Sequence, residues 1–140
     1  MFKFNIDYLK GDKELGQGQY GEVFVYETTN NERKSAVKRV RARNIEELRM
    51  FIEELVLSFN HSHSAILPIT GFHIEEEKPK GWTVYMRMQL MTRSLRRLIQ
   101  EQKASFSKDQ VIKIFHTLAA GFEYLFSRNI VHRDIKPENI

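Results

Sequence analysis

The run Gly16-Gln17-Gly18-Gln19-Tyr20-Gly21-Glu22-Val23 restricts the fold more than any other stretch, because its three glycines are spaced so that backbone N–H groups can approach an anion without Cβ obstruction. The spacing alone fits several architectures. A dinucleotide-binding crossover needs a strand before the glycines, a helix after them and an acidic ribose ligand about 20 residues later. Here the glycines lead into Val23-Phe24-Val25-Tyr26, β-branched and aromatic, and then Thr28-Thr29-Asn30-Asn31, which is turn chemistry. The glycines therefore bridge two strands, and the pattern argues against both dinucleotide-binding and Walker-type loops.

The next segment, Ser35-Ala36-Val37-Lys38-Arg39-Val40, alternates as a strand does. Ala36, Lys38 and Val40 share one face, and Val37 points to the other. A lysine beside Ala36 is in partly apolar company and needs an anionic partner or a path to water. An ordinary edge-strand lysine would show the same pattern. Asn44-Ile45-Glu46-Glu47 then has the outline of a capping box. Ile45, Leu48, Ile52, Leu55 and Phe59 recur at helical spacing, which predicts a buried stripe. On this helix Glu53 and Glu54 both compete as the anion for Lys38.

At the far end stands His132-Arg133-Asp134-Ile135-Lys136-Pro137-Glu138-Asn139-Ile140. The run places a base, a cation and a neutral amide oxygen within one short loop. Phosphoryl transfer to a hydroxyl needs those three aids: a proton acceptor, positive charge on the phosphate and a hard oxygen ligand for magnesium. Asp134, Lys136 and Asn139 suit them in that order. Pro137 disfavours a helical Lys136 and so stiffens the loop.

Taken together, 16–23, Ala36-Val37-Lys38, the helix bearing Glu54 and 132–139 resemble the eukaryotic protein kinases. The string from His132 to Asn139 differs from the usual catalytic-loop pattern only at Ile135, where leucine is common. Lysine at 136 resembles the serine/threonine branch. The resemblance implies an α+β fold: an antiparallel five-stranded N-lobe with one main helix, followed by the first helices of a helical C-lobe. It also implies a kinase domain over 8–140 behind a short N-terminal arm, 1–7.

Function comes from the resemblance as an expectation: an ATP- and Mg²⁺-dependent protein kinase acting on serine or threonine of a protein substrate. The alternative is a pseudokinase-like module that binds nucleotide or protein without transfer. In the kinase reading, Asp134, Lys136, Lys38 and Glu54 are catalytic. Glu54 is favoured over Glu53 by counting back from His63-Ser64-Ala65-Ile66-Leu67, although it leaves Ser58 where an apolar residue is usual. Leu15, Gly16, Gly18, Gly21, Val23, Ala36, Lys38, Met88, Gln89 and Met91 would contact the nucleotide, with Met88 as gatekeeper and Gln89-Leu90-Met91 as hinge. Asn139 would hold the metal. The glycine hairpin and the acid-bearing turn are expected to meet one triphosphate from opposite sides.

The middle of the chain fits that architecture. Residues 69–74 and 82–88 read as strands around a polar turn, 75–81, long enough for a small insertion. A short helix over 94–102 carries Leu95, Leu98 and Ile99. Ser107-Lys108-Asp109-Gln110 opens another with the stripe Val111, Phe115, Leu118, Phe122 and Leu125, ending near Arg128-Asn129.

At 140 residues the chain is about half of what the family's domain requires. The Asp-Phe-Gly segment and the activation loop are thus expected to lie outside it. A chain ending there should expose the apolar side of its last helix, be poorly soluble and transfer no phosphate. The formal charge is +4, but no stacking-aromatic platform accompanies it, so no nucleic-acid partner is expected. No cysteine is present, which rules out disulfides within the sequence. No apolar run approaches the length of a membrane span, so an intracellular, cytoplasmic location is expected.

Overall fold

The computed structural model describes residue 6 and residues 14–18, 21–26, 34–101 and 106–140. The expected turn at 28–31, the loop residues Gln19 and Tyr20, Gln102, and the arm 1–7 apart from Ile6 lie outside the described residues. The chain divides into two compact units: Met1–Ser62 with Leu67–Leu90, and His63–Ile66 with Met91–Ile140.

The first unit is built on β1 (Glu14–Gly18), β2 (Gly21–Tyr26), β3 (Ser35–Ala42), α1 (Ile45–Asn60), β4 (Ile69–Glu76) and β5 (Trp82–Gln89). The strands form one antiparallel five-stranded sheet in the order β1-β2-β3-β5-β4. Cross-strand register separates its faces. One row runs Val23–Lys38–Met86–Phe72, and the adjacent row runs Glu22–Arg39–Tyr85–His73 on the opposite face. The first face carries the core: Val40, Ala42, Ile69, Val84 and Met86 pack with Leu48 and Leu55 of α1, bordered by Phe51, Phe59 and Phe72. On the other face Val37 and Tyr26 are buried with Ile6 and Tyr85 beside them. Arg39 there bonds Glu22 through Nε at 2.8 Å and lies over the Phe24 ring.

Helix α1 starts as its sequence dictates, with Asn44 Oδ1 accepting the Glu47 N–H at 2.8 Å. The Glu47 carboxylate accepts from the Arg43 N–H, one residue ahead of the cap. The buried stripe differs from the expected one. Leu48, Phe51, Leu55 and Phe59 face the sheet, whereas Ile45 is 58% exposed and Ile52 also faces outward. These two instead line a shallow apolar groove with Leu48, Arg49 and Glu53. Both stripes fit the helical period, and the position of the sheet selects between them. The 75–81 segment is no insertion: β4 continues to Glu76, pairs with Trp82, and closes through Glu77 N–H to the Gly81 carbonyl at 2.9 Å.

Gly21 is required by the fold. Its φ is +130°, and a Cβ there would fall 2.1 Å from the Arg39 carbonyl oxygen. At Gly16 a Cβ would meet nothing within 4 Å. Gly21→Ala should therefore destabilise the unit by at least about 2 kcal/mol through strain and overpacking. Gly16→Ala should be nearly neutral. Thermal unfolding of the two variants tests this, and equal shifts would contradict it.

The second unit contains α2 (Leu95–Glu101), α3 (Lys108–Phe126) and a 3₁₀ turn (Pro137–Asn139). The Ser107–Gln110 capping box starts α3 as expected. Asn129, at φ 55°, ends it, with Ile130 N–H bonded to the Leu125 carbonyl at 3.0 Å. Gly121 lets α3 approach Ala65, and the His63 ring stacks on Tyr124 at 4.8 Å. Of the expected α3 stripe, Val111, Phe115 and Phe122 are exposed; Phe126, which is not part of that stripe, is 84% exposed.

Candidate catalytic site

In the first unit the site is centred on Lys38. Strand alternation places it on the α1 side of the sheet, between Val23 and Met86. Its Nζ lies 3.2 Å from Glu54 Oε1. Glu53 bonds Arg49 at 3.2 Å instead, because neighbouring residues on a helix point about 100° apart. The Lys38 and Glu54 side chains are 24% and 49% exposed, so their pair adds at most about 1 kcal/mol to stability. Its consequence is orientation of the ammonium. Ser58, the unexpected polar residue of α1, has a local reason: its Oγ accepts the Ile69 N–H at 2.9 Å, satisfying the start of β4.

The remaining positions anticipated in this unit cluster on or beside the same strands. Gly18 pairs with Gly21 across the β1–β2 hairpin, and Gly16 with Val23. Leu15 is exposed at β1. Ala36 is buried between Val25 and Met88, and Met88 in turn opposes Ile69. Gln89 ends β5. Met91 falls in the second unit and is exposed.

In the second unit the 132–139 loop folds back on Asp134. Lys136 Nζ lies 2.9 Å from Asp134 Oδ2, and Asn139 Nδ2 donates to both the Oδ2 and the carbonyl oxygen of Asp134 at 2.9 Å. The Asn139 N–H bonds the Lys136 carbonyl at 2.9 Å, closing the turn. Lys136 is extended, as the following proline requires, and Pro137 opens the 3₁₀ turn. Arg133 takes φ 64°, and the Asp134 N–H points to His132 Nδ1 at 3.3 Å.

The bond from Lys136 is the main cause that holds the Asp134 carboxyl below its ordinary value; desolvation opposes it, and the bond from Asn139 adds to the lowering. A depressed folded pKa means that any stabilisation from this group is present above the unfolded value and lost as pH falls through the folded one. Asp134 is thus a carboxylate throughout neutral pH, the state a proton acceptor requires. Asn139 uses its Nδ2 on Asp134, which leaves Oδ1 as its oxygen donor. That amide oxygen is a neutral, hard donor of the kind that suits Mg²⁺, which takes few protein oxygens alongside phosphate and water. Among the described residues, no group of three or more His, Cys, Asp or Glu is arranged to hold a metal ion.

The protein kinase domain family matches the chain over residues 9–140. The chain belongs to the protein kinase family. Among relatives of this kinase-family chain, CTD kinase subunit alpha of Saccharomyces cerevisiae is 31% identical over 91% of the chain and 24% of its own length. Aurora kinase of Yarrowia lipolytica is 26% identical over 98% of the chain and 36% of its own length. Serine/threonine-protein kinase 33 of Mus musculus is 30% identical over 90% of the chain and 25% of its own length. The kinase chain therefore spans about a quarter to a third of these relatives. Its described residues include no helix long and apolar enough to cross a membrane.

The kinase fold also brings residues to the Asp134 turn that sequence reading missed. Arg96 lies 3.8 Å from Glu138, and the Leu95 N–H bonds the Ile140 carbonyl at 2.6 Å. More than 40 residues separate each pair in the chain, so no local spacing could have signalled them.

Proposed function

We propose that these residues form part of an ATP- and Mg²⁺-dependent protein kinase that phosphorylates serine or threonine, with a catalytic domain covering 8–140. The observation that carries the reading is the convergence of Lys136 and Asn139 on the Asp134 carboxylate. That turn combines a proton acceptor, a cation for the transferring phosphoryl group and an oxygen ligand for magnesium. Lys38, oriented by Glu54, would grip the α- and β-phosphates. The strand residues Val23, Ala36 and Met88, with Leu15, Gln89 and Met91, would border the nucleotide, and the backbone at Gly16, Gly18 and Gly21 would cover its phosphates. Lysine at 136 and the similarity to a serine/threonine-protein kinase of Mus musculus favour a Ser/Thr acceptor.

The test uses the gene product that carries these residues, incubated with γ-labelled ATP, Mg²⁺ and a generic protein substrate. Label should appear on serine or threonine and vanish on chelation. Nucleotide binding without transfer would instead favour a non-catalytic module. Lys38→Met should cut turnover by about 10²-fold or more through lost phosphate alignment. Its unfolding midpoint should stay close to wild type, since the aliphatic stem between Val23 and Met86 is kept. Wild-type turnover in that variant would remove Lys38 from the mechanism.

A further inference from the structure

We propose that Arg96 is a positioning residue that fastens α2 to the turn bearing Asp134 and Asn139; this rests on the reading of those two residues as proton acceptor and metal ligand. Helix α2 begins with N–H groups that lack partners within the helix. Ser94 Oγ accepts the one from Arg97 at 3.3 Å, and the Ile140 carbonyl accepts the one from Leu95 at 2.6 Å. One residue further on, Arg96 Nε faces Glu138 Oε1 at 3.8 Å. Glu138 lies inside the 3₁₀ turn, flanked by Pro137 and Asn139. Two attachments from successive residues of α2 therefore grip the turn on both sides of Asn139.

The chain of contacts then runs inward. Asn139 reaches the Asp134 carboxylate and carbonyl through one amide nitrogen, while its own N–H is bonded to Lys136. A shift of Asn139 would thus move the ligand oxygen and release one donor from the carboxylate together. Arg93 and Arg97 do not share this work, because both are drawn to Glu101, at 2.9 and 2.6 Å. Of these three arginines, Arg96 alone is paired to the turn in the described residues.

Arg96 and Glu138 are 55% and 49% exposed, so their pair contributes little to global stability. The expected signature is a local loss without unfolding. In the gene product carrying these residues, Arg96→Ala should lower kcat about threefold, the scale of an exposed ion pair, with KM for nucleotide and peptide unchanged. Amide hydrogen exchange over 134–140 should quicken by a similar factor, with 109–126 unaffected. Arg96→Lys should recover most of both, and the charge-swapped Arg96→Glu/Glu138→Arg pair should outperform either single change. Unchanged exchange and kcat in Arg96→Ala would overturn the proposal, as would a swap no better than the singles. Exchange reads the clamp in a protein that transfers no phosphate, so a wild-type chain without activity would defeat the kinase reading and leave the clamp to be judged by exchange.

Discussion

Asp134→Asn should lower turnover by about 10²–10⁴-fold, the usual loss when a general base is removed. Nucleotide affinity should remain largely intact. The substitution is a fair test because both donors to the carboxylate, Lys136 Nζ and Asn139 Nδ2, address the same oxygen, Oδ2. An amide oxygen can take that place and keep the turn closed. What the amide cannot do is accept the proton of a substrate hydroxyl. Single-turnover transfer from γ-labelled ATP by the gene product carrying these residues measures the effect, with the unfolding midpoint as control. Wild-type turnover at unchanged stability would take Asp134 out of the reaction.

The second large effect is on folding. Leu55 is 1% exposed, within the cluster of Val40, Val84 and Met86 that joins α1 to the sheet. Leu55→Ala should cost about 2–5 kcal/mol, from lost transfer energy plus a cavity that close-packed neighbours cannot refill. Leu55 follows Glu54 directly, so loosening α1 here should also release the Lys38 pair. Ile52→Ala, on the outward groove of the same helix, should cost under about 1 kcal/mol. Chemical denaturation of both variants separates the two sides. Comparable losses would mean that the assigned core face of α1 is wrong.

Much of the fold could be read in the chain because its signals are local. The hairpin around 16–23 announces itself by glycines followed by β-branched residues. Alternation in 35–42 predicts which face Lys38 takes, and the polar caps Asn44 and Ser107 mark where α1 and α3 begin. The expected five-stranded antiparallel sheet and single main helix match the observed topology. Phase on the helices was less legible. Ile45 and Ile52 fit the helical period as well as Phe51 does, yet only Phe51 packs on the core. The 75–81 segment has loop composition although Glu75 and Glu76 are strand residues, because Glu75 accepts from Tyr85 Oη and both continue the β5 pairing.

The candidate site divides along the same line. Residue order supplies the chemical groups: an ammonium on β3, two carboxylates adjacent on α1, and a base, a cation and an amide within one proline-stiffened loop. These arise from residue type and short-range backbone preference, which act over a few positions. Which of these groups meet is a matter of packing: Glu54 reaches Lys38 while Glu53 turns to Arg49, Ser58 supports β4, and Arg96 meets Glu138. Each of these depends on how a helix is rotated and seated against its neighbour. That choice belongs to packing of the whole unit, where many side chains must fit at once, and no window of sequence contains it.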